Sequence, residues 1–222
     1  MNLTRKRWSV FWASCLINLC IGSLYAWSVF SIPMETHLNS AYELGLSSGA
    51  LAVVFTVANS VGPITMISGG KINDKLGPKW AIFIGGILFG GGMLASGFAK
   101  SVMFITVSYG LGCGLGMGMV YGCTISNSVK FFPDKRGLIG GAATASYGIS
   151  SVVMPPIANK LIGDIGITAT FKAMGLVFLV IICVGAFLVE KCPEGFAPKG
   201  FVPENKGMAP EDAVSNDHTW KM

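Results

Sequence analysis

The sequence predicts an all-α membrane protein, a bundle of six transmembrane helices. Three observations predict it. Only 12% of the 222 residues are charged, about half the share of an average soluble domain. Mean hydropathy is +0.62. The few charges are spaced so that six long apolar windows lie between them. A chain this poor in charge cannot cover a water-facing surface, which excludes an ordinary soluble enzyme and a disordered tail. The net charge of +5 does not make a nucleic-acid binder, because the basic residues are scattered rather than clustered. Glycine, at 30 residues, is roughly twice as frequent as usual. With no G-X-Y period, that excess points to close-packed membrane helices.

The charge-free windows run over 8–34, 44–70, 80–99, 101–129, 137–159 and 173–189. A membrane helix needs about 20 apolar residues, in a range of roughly 17–25. Each window therefore holds one span, and the longer ones include some loop. The last is at the lower limit and can extend back over Phe171 and Thr170. The first follows Arg5–Arg7 and could pass for a signal peptide. Its apolar run is too long for the h-region of about 7–15 residues, so it is expected to remain as the first helix.

Lys and Arg alternate across the spans. Arg5, Lys6, Arg7, Lys71, Lys75, Lys79, Lys130, Lys135, Arg136 and the four lysines after residue 190 fall on one side; only Lys100, Lys160 and Lys172 fall on the other. By the positive-inside rule both termini are expected in the cytoplasm and the protein in the cell membrane. The expected organisation is a cytoplasmic N-terminus over 1–7, the bundle over 8–189, and a linker over 190–222. In that linker Pro193, Pro198 and Pro203 recur every five residues, and such density opposes helix and strand alike.

Cys15, Cys20, Cys113, Cys123, Cys183 and Cys192 form no CxxC pair and no Cys/His spacing, so they read as small buried hydrophobes rather than ligands or disulfides. No metal and no cofactor is expected. The fourth span carries Gly110, Gly114, Gly118 and Gly122 one turn apart, with Gly112 and Gly116 beside them. They form a groove for a neighbouring helix, as do Gly86 and Gly90 on the third. A nucleotide loop is excluded, since no G-x-G-x-x-G occurs there and no strand precedes it. Pro155 and Pro156 are expected to kink or break the fifth helix, and Pro63 to bend the second.

Between the second and third spans stands Gly70-Lys71-Ile72-Asn73-Asp74-Lys75-Leu76-Gly77-Pro78-Lys79. Its glycines permit a tight reversal with positive φ, and Asp74 can cap a helix or pair with a cation. Between the fourth and fifth spans stands Phe131-Phe132-Pro133-Asp134-Lys135-Arg136-Gly137-Leu138. The first loop resembles the signature of the major facilitator superfamily, departing from it at Trp80, where a second basic residue is usual. With the second loop, Gly22–Ser28 of the first span, the proline-glycine linker and the closing Thr219-Trp220-Lys221, the chain resembles the oxalate/formate antiporter family within it. The resemblance implies the N-terminal six-helix half of a twelve-helix transporter. Such a protein works by alternating access against a second half, with the lipid bilayer around it and a small carboxylate as substrate. It also makes Gly70, Asp74, Lys75, Gly77, Lys79, Asp134, Lys135, Arg136 and Gly137 the cytoplasmic-loop motifs.

Polar residues inside the spans are few, and a polar group facing lipid is costly, so they should face the bundle interior. Asn18, Gly22 and Tyr25 share a face of the first helix, and Thr144, Tyr147 and Ser151 a face of the fifth. Asn59 and Tyr121 stand on the second and fourth. Each either bonds a neighbouring helix or lines a substrate cavity. Tyr25, Tyr121 and Tyr147 match positions where the resembling family places cavity tyrosines. Asn18, Tyr25, Asn59, Tyr121, Tyr147 and Ser151 are the cavity candidates. No window contains Lys, Arg, Asp, Glu or His. That absence leaves no acid, base or nucleophile set for an intramembrane enzyme, and it leaves a bound anion without a cation from this half.

Overall fold

A computed structural model describes residues 3–193, with side chains from Lys6 onward except that of Asp74. The second part of the expected linker, 194–222, with Pro198, Pro203 and the Thr219–Lys221 motif, lies outside the described residues. Six long helices follow one another, and among the described residues there is no strand. Helix α1 runs in three pieces: Leu3–Ile21, a 3-10 stretch Gly22–Ala26, and Trp27–Tyr42. Helix α2 is Ala52–Leu76, α3 is Pro78–Ser96, α5 is Arg136–Ile165 and α6 is Ile167–Leu188. Helix α4 begins as Val102–Ile105, passes through a π-helical stretch Thr106–Cys113 and continues as Gly114–Phe131. All six are long and apolar enough to cross a membrane.

The helices overrun several of the charge-free windows. Glu35 and His37 lie within α1, Lys160 and Asp164 within α5, and Lys172 within α6. A helix longer than the hydrocarbon core continues into the interface, where long side chains bring their charge to water. Glu35 is buried and accepts a hydrogen bond from the Leu51 amide at 3.2 Å, tying the end of α1 to the start of α2.

Two junctions are a single residue long. Gly77 joins α2 to α3 with φ 86° and ψ 164°; Gly166 joins α5 to α6 with φ 80° and ψ 164°. That region is essentially open to glycine alone. Gly70 needs no such freedom, since it lies within α2 rather than in a loop. Asp74 likewise sits in the last turn of α2, at a helix end rather than a helix start. The expected loop is thus shorter than the motif, because Gly77 alone performs the reversal.

Glycines decide how the helices pack. Helix α4 is wedged between α2 and α3 by two glycine rows. On one row, a Cβ at Gly114 would lie 2.5 Å from the Ala58 carbonyl oxygen, and one at Gly118 would strike the Gly62 carbonyl and the Thr65 hydroxyl. On the other, a Cβ at Gly116 would lie 2.5 Å from the Gly85 carbonyl oxygen. Gly86 and Gly90 admit Ile182 and Leu179 of α6, and Gly22 lets α1 meet the α5 backbone at Tyr147. The groove expected on the fourth helix is a packing surface on two sides.

The prolines do not break their helices. Helix α5 is continuous through Pro155 and Pro156, and α2 through Pro63. Each proline removes one amide donor, which neighbouring backbone in a membrane helix tolerates, and its fixed φ suits the helix. Five cysteines are buried, Cys183 is half-buried and all six are free thiols.

Candidate functional site

One pocket of about 280 Å³ opens where the middle stretches of α1, α2, α4 and α5 converge. Tyr25, Asn59, Tyr121 and Tyr147 line it, with Met66 and Met117 as its apolar part. The Tyr147 ring is central: its centroid lies 4.7 Å from that of Tyr121 and 5.5 Å from that of Tyr25. Tyr147 itself is buried, whereas Tyr25 is 44% exposed and rests its ring against Phe55. Four of the six residues expected in a cavity therefore meet in one place, although they come from four helices.

The other two do not line the pocket. Asn18 is fully buried. Its Nδ2 donates to the Ala143 carbonyl at 3.1 Å, and its Oδ1 accepts from the Thr124 hydroxyl at 2.7 Å. It joins α1, α4 and α5 through these two bonds. Ser151 is exposed and donates to the Gly148 carbonyl of its own helix at 2.7 Å. Thr144 is also exposed. A shared helical face is about 100° wide, and the packing of α5 leaves only its centre, Tyr147, turned inward. Asn59 is in the pocket but donates its Nδ2 to the Phe55 carbonyl one turn back at 2.9 Å.

Local structure sets these positions. Because Gly22 lacks a side chain, α1 touches α5 at Tyr147 and Ser150, and Tyr25 follows within the 3-10 stretch beside the Tyr147 ring. A 3-10 stretch within a helix shifts the phase of the residues beyond it. Trp27 then turns away from the pocket, buried against Tyr109 at 4.6 Å. The pocket also uses Gly118 of the glycine groove, Pro63 and its neighbour Gly62. Nothing in their residue type signals a cavity wall.

At the end of the bundle bearing the N-terminus, the motif residues spread out. Lys75 is exposed, and the Lys79 ammonium lies 4.2 Å from the Phe187 ring and 5.8 Å from that of Trp80. The aromatic ring at Trp80 thus faces the Lys79 charge. Asp134 pairs with Arg7 at 3.2 Å, and the Arg7 guanidinium also covers the Phe132 ring at 4.7 Å. Lys135, Arg136 and Gly137 are exposed at the start of α5. Arg7, read from sequence only as a topological charge, is the partner the motif aspartate uses.

The chain past α6 is held, not free. Glu190 pairs with Lys6, and Asn127 on α4 donates to the Glu190 carbonyl at 2.9 Å. The Asn127 Oδ1 accepts from the Cys192 amide at 3.3 Å. Burial pushes the Cys192 thiol above its ordinary range, against a smaller opposing effect of Lys130. The first residues of the expected linker, 190–192, are therefore part of the bundle.

Six helices long and apolar enough to cross a membrane define a multi-pass membrane protein. The profile of the Major Facilitator Superfamily matches residues 4–220, and the chain belongs to that superfamily. It is 30% identical to an uncharacterized MFS-type transporter, YhjX, of Escherichia coli strain K12, over 95% of this chain and 50% of that protein. It is 27% identical to the oxalate:formate antiporter of Oxalobacter formigenes, over 100% of this chain and 51% of the relative. Monocarboxylate transporter 9 of Gallus gallus is 25% identical over 77% of this chain and 32% of its own length. The chain spans about half the length of the first two, as a six-helix half of the fold does.

Proposed function

We propose that this six-helix unit is the N-terminal half of a transporter that moves or exchanges a small carboxylate, such as oxalate or formate, by alternating access. The convergence of Tyr25, Tyr121 and Tyr147 on one pocket carries the reading. Three phenols offer hydroxyl donors and ring edges, both attractive to a small anion. The names of two relatives, an oxalate:formate antiporter and a monocarboxylate transporter, support the same substrate class.

A second half completes the proposal. The spans of α2 and α5, which flank the pocket, are only 28% and 22% buried, less than the other four. Their apolar residues, such as Ile67 and Val152, each 72% exposed, offer a face for a second bundle. An anion without an opposite charge is strongly unfavourable away from water, and among the described residues no Lys or Arg lines the pocket. The missing cation would come from that half. Both termini would be cytoplasmic in the cell membrane. The turn around Gly77 and the Asp134–Gly137 segment would then face the cytoplasmic side of the partner, with Asp74 as the contact that latches one state.

The competing reading is a non-transporting membrane fragment, favoured by the half-length match. Liposomes containing the purified chain, with and without a co-expressed six-helix C-terminal half, separate the two. Saturable exchange of labelled oxalate or formate only with the second half supports the proposal, and Tyr147→Ala should then weaken it. No exchange in either sample, with both halves inserted, favours the fragment.

A further inference from the structure

We infer that the end of the bundle remote from the N-terminus carries a binding site for a phosphate group, held by Lys100 and Lys172. A second pocket, of about 310 Å³, lies between the end of α1, the α3–α4 turn and the start of α6. His37, Tyr42, Lys100, Thr168 and Lys172 supply its polar lining. It shares no residue with the tyrosine pocket, and the transport reading leaves it unused.

The charge balance of this pocket is one-sided. Lys100, Lys172 and His37 line it and, among the described residues, no Asp or Glu does. Among the described residues, the ion pairs are Lys6–Glu190 and Arg7–Asp134, both at the opposite end of the bundle. Glu35, the buried carboxylate of the same end, is engaged by the Leu51 amide. Glu43 and Asp164 at this end are exposed and do not line the pocket; two lysines that share one pocket with no carboxylate in its described lining favour an anionic ligand.

Lys172 is also held in place. A Cβ at Gly97 would lie 2.6 Å from the Lys172 Cγ, so the lysine stem fills the space that glycine leaves. Its ammonium lies 4.0 Å from the Phe98 ring centroid. The cation therefore meets a ligand already oriented, with little rotamer freedom left to lose. The Tyr42 and Thr168 hydroxyls add neutral donors for further oxygens.

A phosphate suits this set, since lysine binds it as a point charge and three or more oxygens can be shared. The phosphate can belong to a lipid headgroup or be free in solution. Position favours the headgroup. Lys172 stands in the second turn of a spanning helix, and Phe98 beside it is 57% exposed. That places a cation and an apolar surface together at the depth where headgroup meets acyl chain.

Thermal unfolding of the purified chain in uncharged detergent tests the site. The probes are phosphatidylglycerol, diacylglycerol with the same acyl chains, and inorganic phosphate against chloride at equal ionic strength. Phosphatidylglycerol should raise the midpoint by several degrees and diacylglycerol should not. The paired change Lys100→Gln and Lys172→Gln should remove most of the rise, whereas Lys172→Arg should retain it. Lys160→Gln is the control, since Lys160 is exposed at the same end but does not line the pocket. Protection by inorganic phosphate equal to that by lipid would assign the site to the free anion. Protection by phosphatidylglycerol alone would assign it to the headgroup. Absence of protection by either, an equal rise in the double variant, or an equal loss in Lys160→Gln would overturn the inference.

Discussion

The hydroxyl of Thr124 donates a 2.7 Å hydrogen bond to Oδ1 of Asn18, which is fully buried. The same carboxamide donates to the Ala143 carbonyl. Tyr121 lies one turn before Thr124, and Tyr147 one turn after Ala143. One side chain of α1 thus fixes the relative height of α4 and α5, and with it the meeting of the two tyrosine rings.

Asn18→Ala should loosen this joint. Interhelical hydrogen bonds in membranes are worth about 0.6 kcal/mol each on average, and the deleted atoms leave a small void. A loss of about 1–3 kcal/mol is expected. Thr124→Val deletes the hydroxyl with both its bonds, but it keeps the side-chain volume and leaves Asn18 bonded to the Ala143 carbonyl, so it should cost less. Detergent melting of the two variants ranks them; the reverse order would place the joint elsewhere.

Glycine substitutions should divide by location. Gly114→Leu and Gly118→Leu drive a side chain into the α2 backbone and should prevent native packing. Gly141→Ala and Gly148→Ala meet nothing within 4 Å. They should be neutral or stabilise by up to about 1 kcal/mol through helix propensity. Melting curves that respond alike to both classes would contradict the packing described.

At the two one-residue junctions, strain is isolated from crowding. A Cβ added at Gly77 or at Gly166 would meet nothing within 4 Å. Gly77→Ala and Gly166→Ala should each still cost about 1–3 kcal/mol, because their φ and ψ lie in a glycine-only region. Gly137→Ala, equally open and helical, is the control and should cost far less.

The Arg7–Asp134 pair is only partly screened from water, so its coupling should be about 1 kcal/mol or less. A double-mutant cycle with Arg7→Gln and Asp134→Asn, each of which removes one charge, measures it. Arg7→Lys should lose more than its retained charge suggests, since the planar contact with Phe132 goes too. Equal stability of wild type and Arg7→Lys would show that charge alone matters.

Cys192 should react slowly with a soluble maleimide near neutral pH. Burial raises its thiol pKa, which leaves less thiolate at any given pH. Reaction should speed up as pH rises. Asn127→Ala, which removes the two hydrogen bonds from α4 to residues 190 and 192 and leaves the Lys6–Glu190 pair, should accelerate it at constant pH. A rate unchanged by Asn127→Ala would mean the segment is held by other contacts.

The sequence by itself determined the class of molecule and the number of spans, because the cost of placing charge in hydrocarbon is set residue by residue. It also determined that glycine rows on α4 pack helices, since a one-turn spacing aligns them whatever the neighbour. The ends of the helices were less legible: Glu35, Lys160 and Lys172 continue helices past the apolar windows. Gly70 and Gly77 look alike in sequence, yet only Gly77 turns the chain. Helical periodicity grouped Asn18 with Tyr25 and Tyr147 with Ser151, but a face is not a cavity. Only tertiary structure decided that Asn18 is a joint, that Ser151 is exposed outside the tyrosine pocket, and that Arg7 meets Asp134 across 127 positions of chain. The physical reason is that burial of apolar surface is a property of a segment, whereas the partner of a polar group depends on which helices meet and at what height.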